Sequence, residues 1–190
     1  MRPRLPVSLL PLACALAWTL AAAPAAATGN EARAVQARLS GYEEVPAVSS
    51  AGNGTFKAFI DKATGEIDYE FSYAGMQGTV TQAHIHFGQR GVNGGIAVWL
   101  CQSGTNPAPA AVAATTPVCA SPAAVFTGRI TANSVLGPGG TQQLAAGELA
   151  EFAAALRAGV AYVNVHTNLS PGGEVRGQIR PGHHHHHHHH

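Results

Sequence analysis

Eight of the eleven histidines in this 190-residue chain form an uninterrupted run at 183–190. A homopolymer of that kind is read as a purification tag and set aside. The other three, His84, His86 and His166, lie in Gln82-Ala83-His84-Ile85-His86-Phe87-Gly88 and Tyr162-Val163-Asn164-Val165-His166-Thr167. In a strand, side chains at i and i+2 share a face, so His84 and His86 project together with Gln82, opposite Ala83, Ile85 and Phe87. Tyr162, Asn164 and His166 likewise oppose Ala161, Val163 and Val165. The apolar sets claim the core, which predicts histidines outside that layer or at its rim. Two histidines at this spacing have Cα atoms about 6.5–7 Å apart, within reach of one ion at metal–nitrogen distances of about 2.0–2.1 Å. A third imidazole from a neighbouring strand completes the set. Neutral imidazole suits Cu(II) and Zn(II), and Cu(II) binds most tightly of the divalent series. Neither segment carries a carboxylate, so Mg or Ca fits poorly. The expected cofactor is therefore copper, with zinc as the alternative, and His84, His86 and His166 are the expected ligands. The competing reading is structural, with the histidines hydrogen-bonding loop carbonyls over the Gly-rich connector 88–95.

The same alternation nominates partners that would orient the histidines. Asn164 shares the face of His166, and Glu174 and Arg176 share one face of the last strand, from which either could reach the histidine layer or form a cross-strand ion pair. Met76, the single methionine after Met1, is read as a core filler rather than an axial copper ligand. No catalytic residue is assigned, because no nucleophile elbow accompanies a Ser-His-Asp set. The Gly-rich stretch 88–95 lacks the Gly-Lys-Ser/Thr of a phosphate loop and reads as a bent connector.

Short alternating segments punctuated by Gly, Pro and Asn must position these residues. They predict strands at 34–39, 54–60, 66–73, 79–87, 96–101, 124–131, 161–166 and 174–179, in an all-β, antiparallel Greek-key sandwich or barrel. One helix is expected before the penultimate strand, since Leu149, Phe152, Ala153 and Leu156 fall at i, i+3, i+4 and i+7. Glu148 and Glu151 near its start, Arg157 near its end and Gly159 beyond suit the helix dipole and stop.

Residues 1–27 read as a signal peptide: Arg2 and Arg4, then a mostly apolar stretch, then Ala25-Ala26-Ala27 before Thr28. The expectation is a periplasmic or secreted protein, with one domain over 28–182 and no membrane span in the mature chain. In an oxidising compartment Cys101 and Cys119 read as a disulfide. Removing Arg2 and Arg4 leaves 9 Lys and Arg against 10 Asp and Glu. This near-neutral balance without a basic cluster excludes a nucleic-acid groove or a polybasic membrane patch.

The blocks Ala83-His84-Ile85-His86-Phe87-Gly88, Asn93-Gly94-Gly95-Ile96, Tyr162-Val163-Asn164-Val165-His166-Thr167 and Pro171-Gly172-Gly173-Glu174-Val175-Arg176-Gly177-Gln178-Ile179 together resemble the CHRD domain, named after chordin. The resemblance spans about residues 34–180 and implies export and a compact β fold without assigned catalysis. A weaker similarity links His84-Ile85-His86-Phe87-Gly88 to the His-x-His motif of copper-zinc superoxide dismutase, with the spacing off by one residue and no bridging histidine or zinc-site Asp visible. Three functions follow as expectations. The first is an exported copper-binding protein for storage, delivery or redox protection. The second is a non-catalytic extracellular interaction module, whose partner would be another exported protein. The third is a copper-dependent, dismutase-like enzyme.

Overall fold

The computed structural model describes residues 33–182. The expected signal peptide and the terminal histidine run lie outside that range. Within it, the strands are β1 (Ala34–Ser40), β2 (Asn53–Ile60), β3 (Ile67–Ala74), β4 (Val80–Phe87), β5 (Gly95–Cys101), β6 (Ala124–Ile130), β7 (Ala161–Thr167), β8 (Val175–Gln178) and the two-residue β9 (Arg180–Pro181). Two helices join them, α1 (Ala110–Ala113) and α2 (Leu149–Arg157). The strand order β5-β4-β7-β8-β1-β2-β3-β6 forms a nearly closed, antiparallel eight-stranded barrel, with β9 paired to β1. Of the two architectures the alternation allowed, the chain takes the barrel.

Alternation explains the core. Val35, Ala37 and Leu39 of β1, Phe56 and Ile60 of β2, Ile67 and Phe71 of β3, Ala83 and Ile85 of β4, and Val163 and Val165 of β7 all join one apolar cluster. Removing such side chains from water is the main favourable term of folding. In β3 the residues between, Asp68, Glu70 and Ser72, stay outside the cluster, as the hydrophobic-in, polar-out pattern requires. The expected helix is α2, which buries Phe152, Ala153 and Leu156 and stops before Gly159, whose φ of 70° suits a residue without Cβ. The final strand differs from expectation by breaking at Ile179. Up to Gln178 it pairs with β7, and from Arg180 it pairs with β1.

The edges β5 and β6 leave one seam. Segment 102–119 covers it, packing Val112 of α1 with Val98 and Trp99 of β5 and Ile130 of β6 around a cavity of about 70 Å³. Gln102 organises this cover by donating to the carbonyls of Ala113 and Thr116 and accepting from the amide of Ala108. The disulfide Cys101–Cys119 then closes the segment at a sequence separation of 18. Loop-closure entropy makes that crosslink worth about 3 kcal/mol. The double variant Cys101→Ser/Cys119→Ser is therefore expected to unfold at a lower urea midpoint, with an m-value equal to or above that of the wild type because the unfolded chain is freed to expand. An unchanged midpoint would show that the crosslink is not a stability element.

Candidate metal centre

Strand register brings the histidines together. Between β4 and β7, Gln82 faces His166, His84 faces Asn164 and His86 faces Tyr162. His166 is thus the diagonal neighbour of His84 on one sheet face. Ring centroids lie 5.4 Å apart for His84 and His86, 5.0 Å for His84 and His166, and 6.3 Å for His86 and His166. Each offers one nitrogen such that all three lie within 4.8 Å of one another. Nδ1 of His84 and Nε2 of His166 are 3.2 Å apart. Two nitrogens at that separation, each about 2.05 Å from a shared ion, subtend an angle of about 100°, a value a tetrahedral ion accepts. The donor set fits a borderline metal such as copper or zinc.

The tautomers follow from the partners. Nδ1 of His86 lies 2.9 Å from the Gly94 carbonyl, and Nδ1 of His166 lies 2.8 Å from the Pro171 carbonyl. A carbonyl only accepts, so both Nδ1 atoms carry the proton and both Nε2 atoms present a lone pair. In the metal-free protein Nδ1–H of His84 then donates to the Nε2 lone pair of His166 and Nε2 of His84 is left as an acceptor, so ligation through Nδ1 of His84 requires that its proton move to Nε2. The Nε2 atoms of His84 and His86 are buried without a hydrogen-bond partner. Such orphaned acceptors are uncommon in native interiors.

Burial sets the charge state. His84 is fully buried, and His86 and His166 are 8% and 7% exposed. Desolvation, reinforced by the neighbouring His166 and His86, pushes His84 down to about 2. Desolvation also brings His86 down to about 4 and lowers His166. All three imidazoles are therefore neutral at neutral pH, the form that ligates metals.

The outward position expected of the histidines is only half of the finding. They do face away from the apolar core, but loops bury them from the other side. Segment 88–95 folds over the layer and is pinned by Arg176, which donates from Nη1 to Asn93 Oδ1 at 3.0 Å and from Nη2 to the Val92 carbonyl at 2.7 Å. Gly94 must be glycine there, since a Cβ would collide with the Phe87 carbonyl. The Arg176 guanidinium carbon sits 3.4 Å from the Tyr162 ring centroid, and that ring stacks on His86 at 4.7 Å with 3° between the planes. On the other flank Trp99, which faces His84 in the β4–β5 register, meets the His84 ring in a T-shaped contact with centroids 4.3 Å apart.

The other candidate residues are distributed as follows. Asn164 is in the layer, its side-chain amide 3.0 Å from Nε2 of His166; with a lone pair on that Nε2, the amide must turn its NH2 toward the ring to donate. Arg176 is also in it, acting through Tyr162 and the loop. Glu174 bonds elsewhere: its carboxylate accepts from Ser50 Oγ, the amides of Gln77 and Gly78, and Thr167 Oγ1, which ties two loops to the end of β7. Burial alone would raise its pKa, but these donors hold it below the ordinary value. Met76 packs in the apolar core. Trp99 and Tyr162, whose rings touch the histidines, were not singled out from sequence, nor was Glu44, which acts on Arg176 and Tyr162. Tyr162 was findable, because it shares the i, i+2 face of Asn164 and His166. Glu44 was not, because a turn far away in sequence carries it to Gly173.

A mostly antiparallel β-barrel carries, on its outer face, loop-covered histidines that form a candidate metal site. The family model of the CHRD domain matches residues 35–179, and the chain belongs to that family. Neither a curated protein nor a solved structure gives a significant match.

Proposed function

We propose that the protein is an exported metal-binding protein that holds one copper ion through His84, His86 and His166, for storage, delivery or redox protection. Zinc is the alternative occupant. One observation carries the reading: three neutral imidazoles direct nitrogens to within 4.8 Å of one another, and two of their Nε2 atoms are buried without a partner. Bound copper would supply one-electron chemistry. The chain's own residues fix the tautomers through Gly94 and Pro171, and exclude water by burial. Export is supported by the N-terminal sequence, the disulfide and the family.

The carbonyl bonds of His86 and His166 also favour a second reading, an extracellular module whose histidines simply fasten two loops. That reading gives the orphaned Nε2 atoms no role. A dismutase-like enzyme is supported less, because histidines at most 8% exposed offer a substrate no open approach.

The test is metal analysis of protein freed of its terminal histidine run, loaded with Cu(II) or Zn(II) and desalted. One copper per chain is expected in the wild type, with loss in His84→Ala and His166→Ala. Trp99 supplies a second readout, because Trp18 leaves with the signal peptide. Paramagnetic Cu(II) beside the His84 ring should quench its fluorescence and Zn(II) should not. A folded wild type that retains neither metal leaves the interaction module as the surviving reading.

A further inference from the structure

The outer sheet face that carries the histidines continues past Gln178 into an arginine-lined cleft, which the metal reading does not use. Gln36 of β1 pairs with Arg180 of β9, and Ser40 of β1 pairs with Arg176 of β8. Antiparallel register then sets Arg38 beside Gln178. Arg38 and Arg180 are diagonal neighbours on adjacent strands, which lie about 5 Å apart. Arg90 reaches the same cleft from the loop over the histidines, and the cleft has a volume of about 270 Å³.

The charges are not balanced locally. Among the described residues, Arg38 and Arg180 are exposed and make no ion pair or side-chain hydrogen bond, and Arg90 has only a 2.6 Å contact with Glu43. An exposed pair of that kind contributes little. Like charges on neighbouring strands repel, and an acid at either opposing position would relieve them. The chain instead places amides there, Gln36 and Gln178. Elsewhere on the barrel the ordinary solution is present: Arg129 is flanked by Asp68 and Glu66. A local departure from that rule, in a concavity, marks a functional surface.

We infer that this cleft binds an oxyanion carried on a hydroxylated body, with the carboxylate of an acidic sugar as the matching chemistry. The guanidinium groups present forked donors that suit a carboxylate. The Gln36 amide, exposed and without a partner, can donate to or accept from hydroxyls. The volume accommodates one sugar ring rather than a bare ion. This site is independent of the histidine centre and stands whether or not that centre holds metal.

Isothermal titration of the protein without its terminal histidine run would use glucuronate, inorganic sulfate and glucose as probes, in 20 and 200 mM NaCl. Saturable glucuronate binding that weakens with salt is expected, with sulfate weaker and glucose silent. Arg38→Gln/Arg180→Gln should weaken glucuronate by about tenfold or more, since a hydrogen bond to a charged group contributes about 1.5–3 kcal/mol. Both side chains are exposed, so that variant should retain the wild-type circular dichroism and melting temperature. Lys62→Gln, at the β2–β3 turn, removes one charge remote from the cleft and should leave binding unchanged. Sulfate binding as tight as glucuronate would overturn the sugar assignment. Absence of saturable binding to any probe, or full retention in the double arginine variant, would overturn the site.

Discussion

Acidifying the metal-free protein from pH 7 to 4.5 is expected to remove about 3–5 kcal/mol of folding stability, with further loss below that range as His84 continues to refuse its proton. The three histidines are the cause. Their folded pKa values lie below the ordinary 6.5, at about 2 for His84 and about 4 for His86, with His166 also lowered. Below pH 6.5 the unfolded chain therefore binds protons that the folded chain refuses. Their stabilising contribution is complete above 6.5 and is lost as pH falls, at about 1.4 kcal/mol per pH unit for each fully refused proton. Glu44 works in the opposite direction. Buried, with Oε1 unpartnered, it is pushed up to about 7 by desolvation despite the nearby Arg176. Between pH 7 and 4.5 the folded state holds that proton and the unfolded state does not, so Glu44 offsets about one histidine. Urea midpoints at half-unit pH steps measure the balance. A flat profile from pH 7 to 5 would mean that the imidazoles are not buried in the neutral form. His86→Phe, which keeps a ring against Tyr162 and removes the titration, should reduce the slope.

Replacing Arg176 with Ala is expected to cost about 3–5 kcal/mol and to abolish tight metal retention. The side chain is 2% exposed and holds its charge among carbonyl and amide oxygens and the Tyr162 ring. Truncation takes the guanidinium donor from the Val92 carbonyl and from Asn93 Oδ1, leaving Asn93 only its Nδ2 bond to the Val45 carbonyl, and opens a cavity where the buried side chain lay. The loop that carries Gly94 then loses its anchor, and with it the acceptor that fixes the His86 tautomer. Arg176→Lys separates the contributions. It keeps the charge but loses the planar stack and the fork, so it should recover part of the stability and less of the metal retention. Circular dichroism melts with copper retention after desalting check both variants. Wild-type stability in Arg176→Ala would show that the loop is held by other bonds.

Much of this arrangement was legible before any fold was known, for a physical reason. The i, i+2 rule is strict in a strand, so Gln82, His84 and His86 had to share a face, and Ala83 and Ile85 had to be the core. The same rule placed Asn164 with His166. The helix at 149–157 announced itself through one apolar stripe and a terminal glycine. Strand order was not legible, because pairing β4 with β7 joins segments about eighty residues apart and depends on which register buries the most apolar surface. The lid was legible in part. The Gly-rich stretch reads as a bent connector over which histidines could bond loop carbonyls, and His86 does bond the Gly94 carbonyl, but nothing local says that Arg176 pins it. Glu174 misled because its strand parity points it toward the layer, whereas four donors from two loops and the end of β7 capture it first.

The barrel also separates two tasks that many small proteins must fulfil with the same atoms. Along β4 and β7, odd-numbered positions such as Ile85, Val163 and Val165 hold the scaffold together, while even-numbered positions such as His84, His86, Asn164 and His166 carry the candidate chemistry. The even set can change its donor types without disturbing a single interior contact of the odd set. The fold is therefore a natural chassis for engineering. Cysteine or carboxylate side chains could be exchanged at 84, 86 and 166 to vary the donor set of the candidate site, with repacking falling on the covering loops and on the Trp99 and Tyr162 rings.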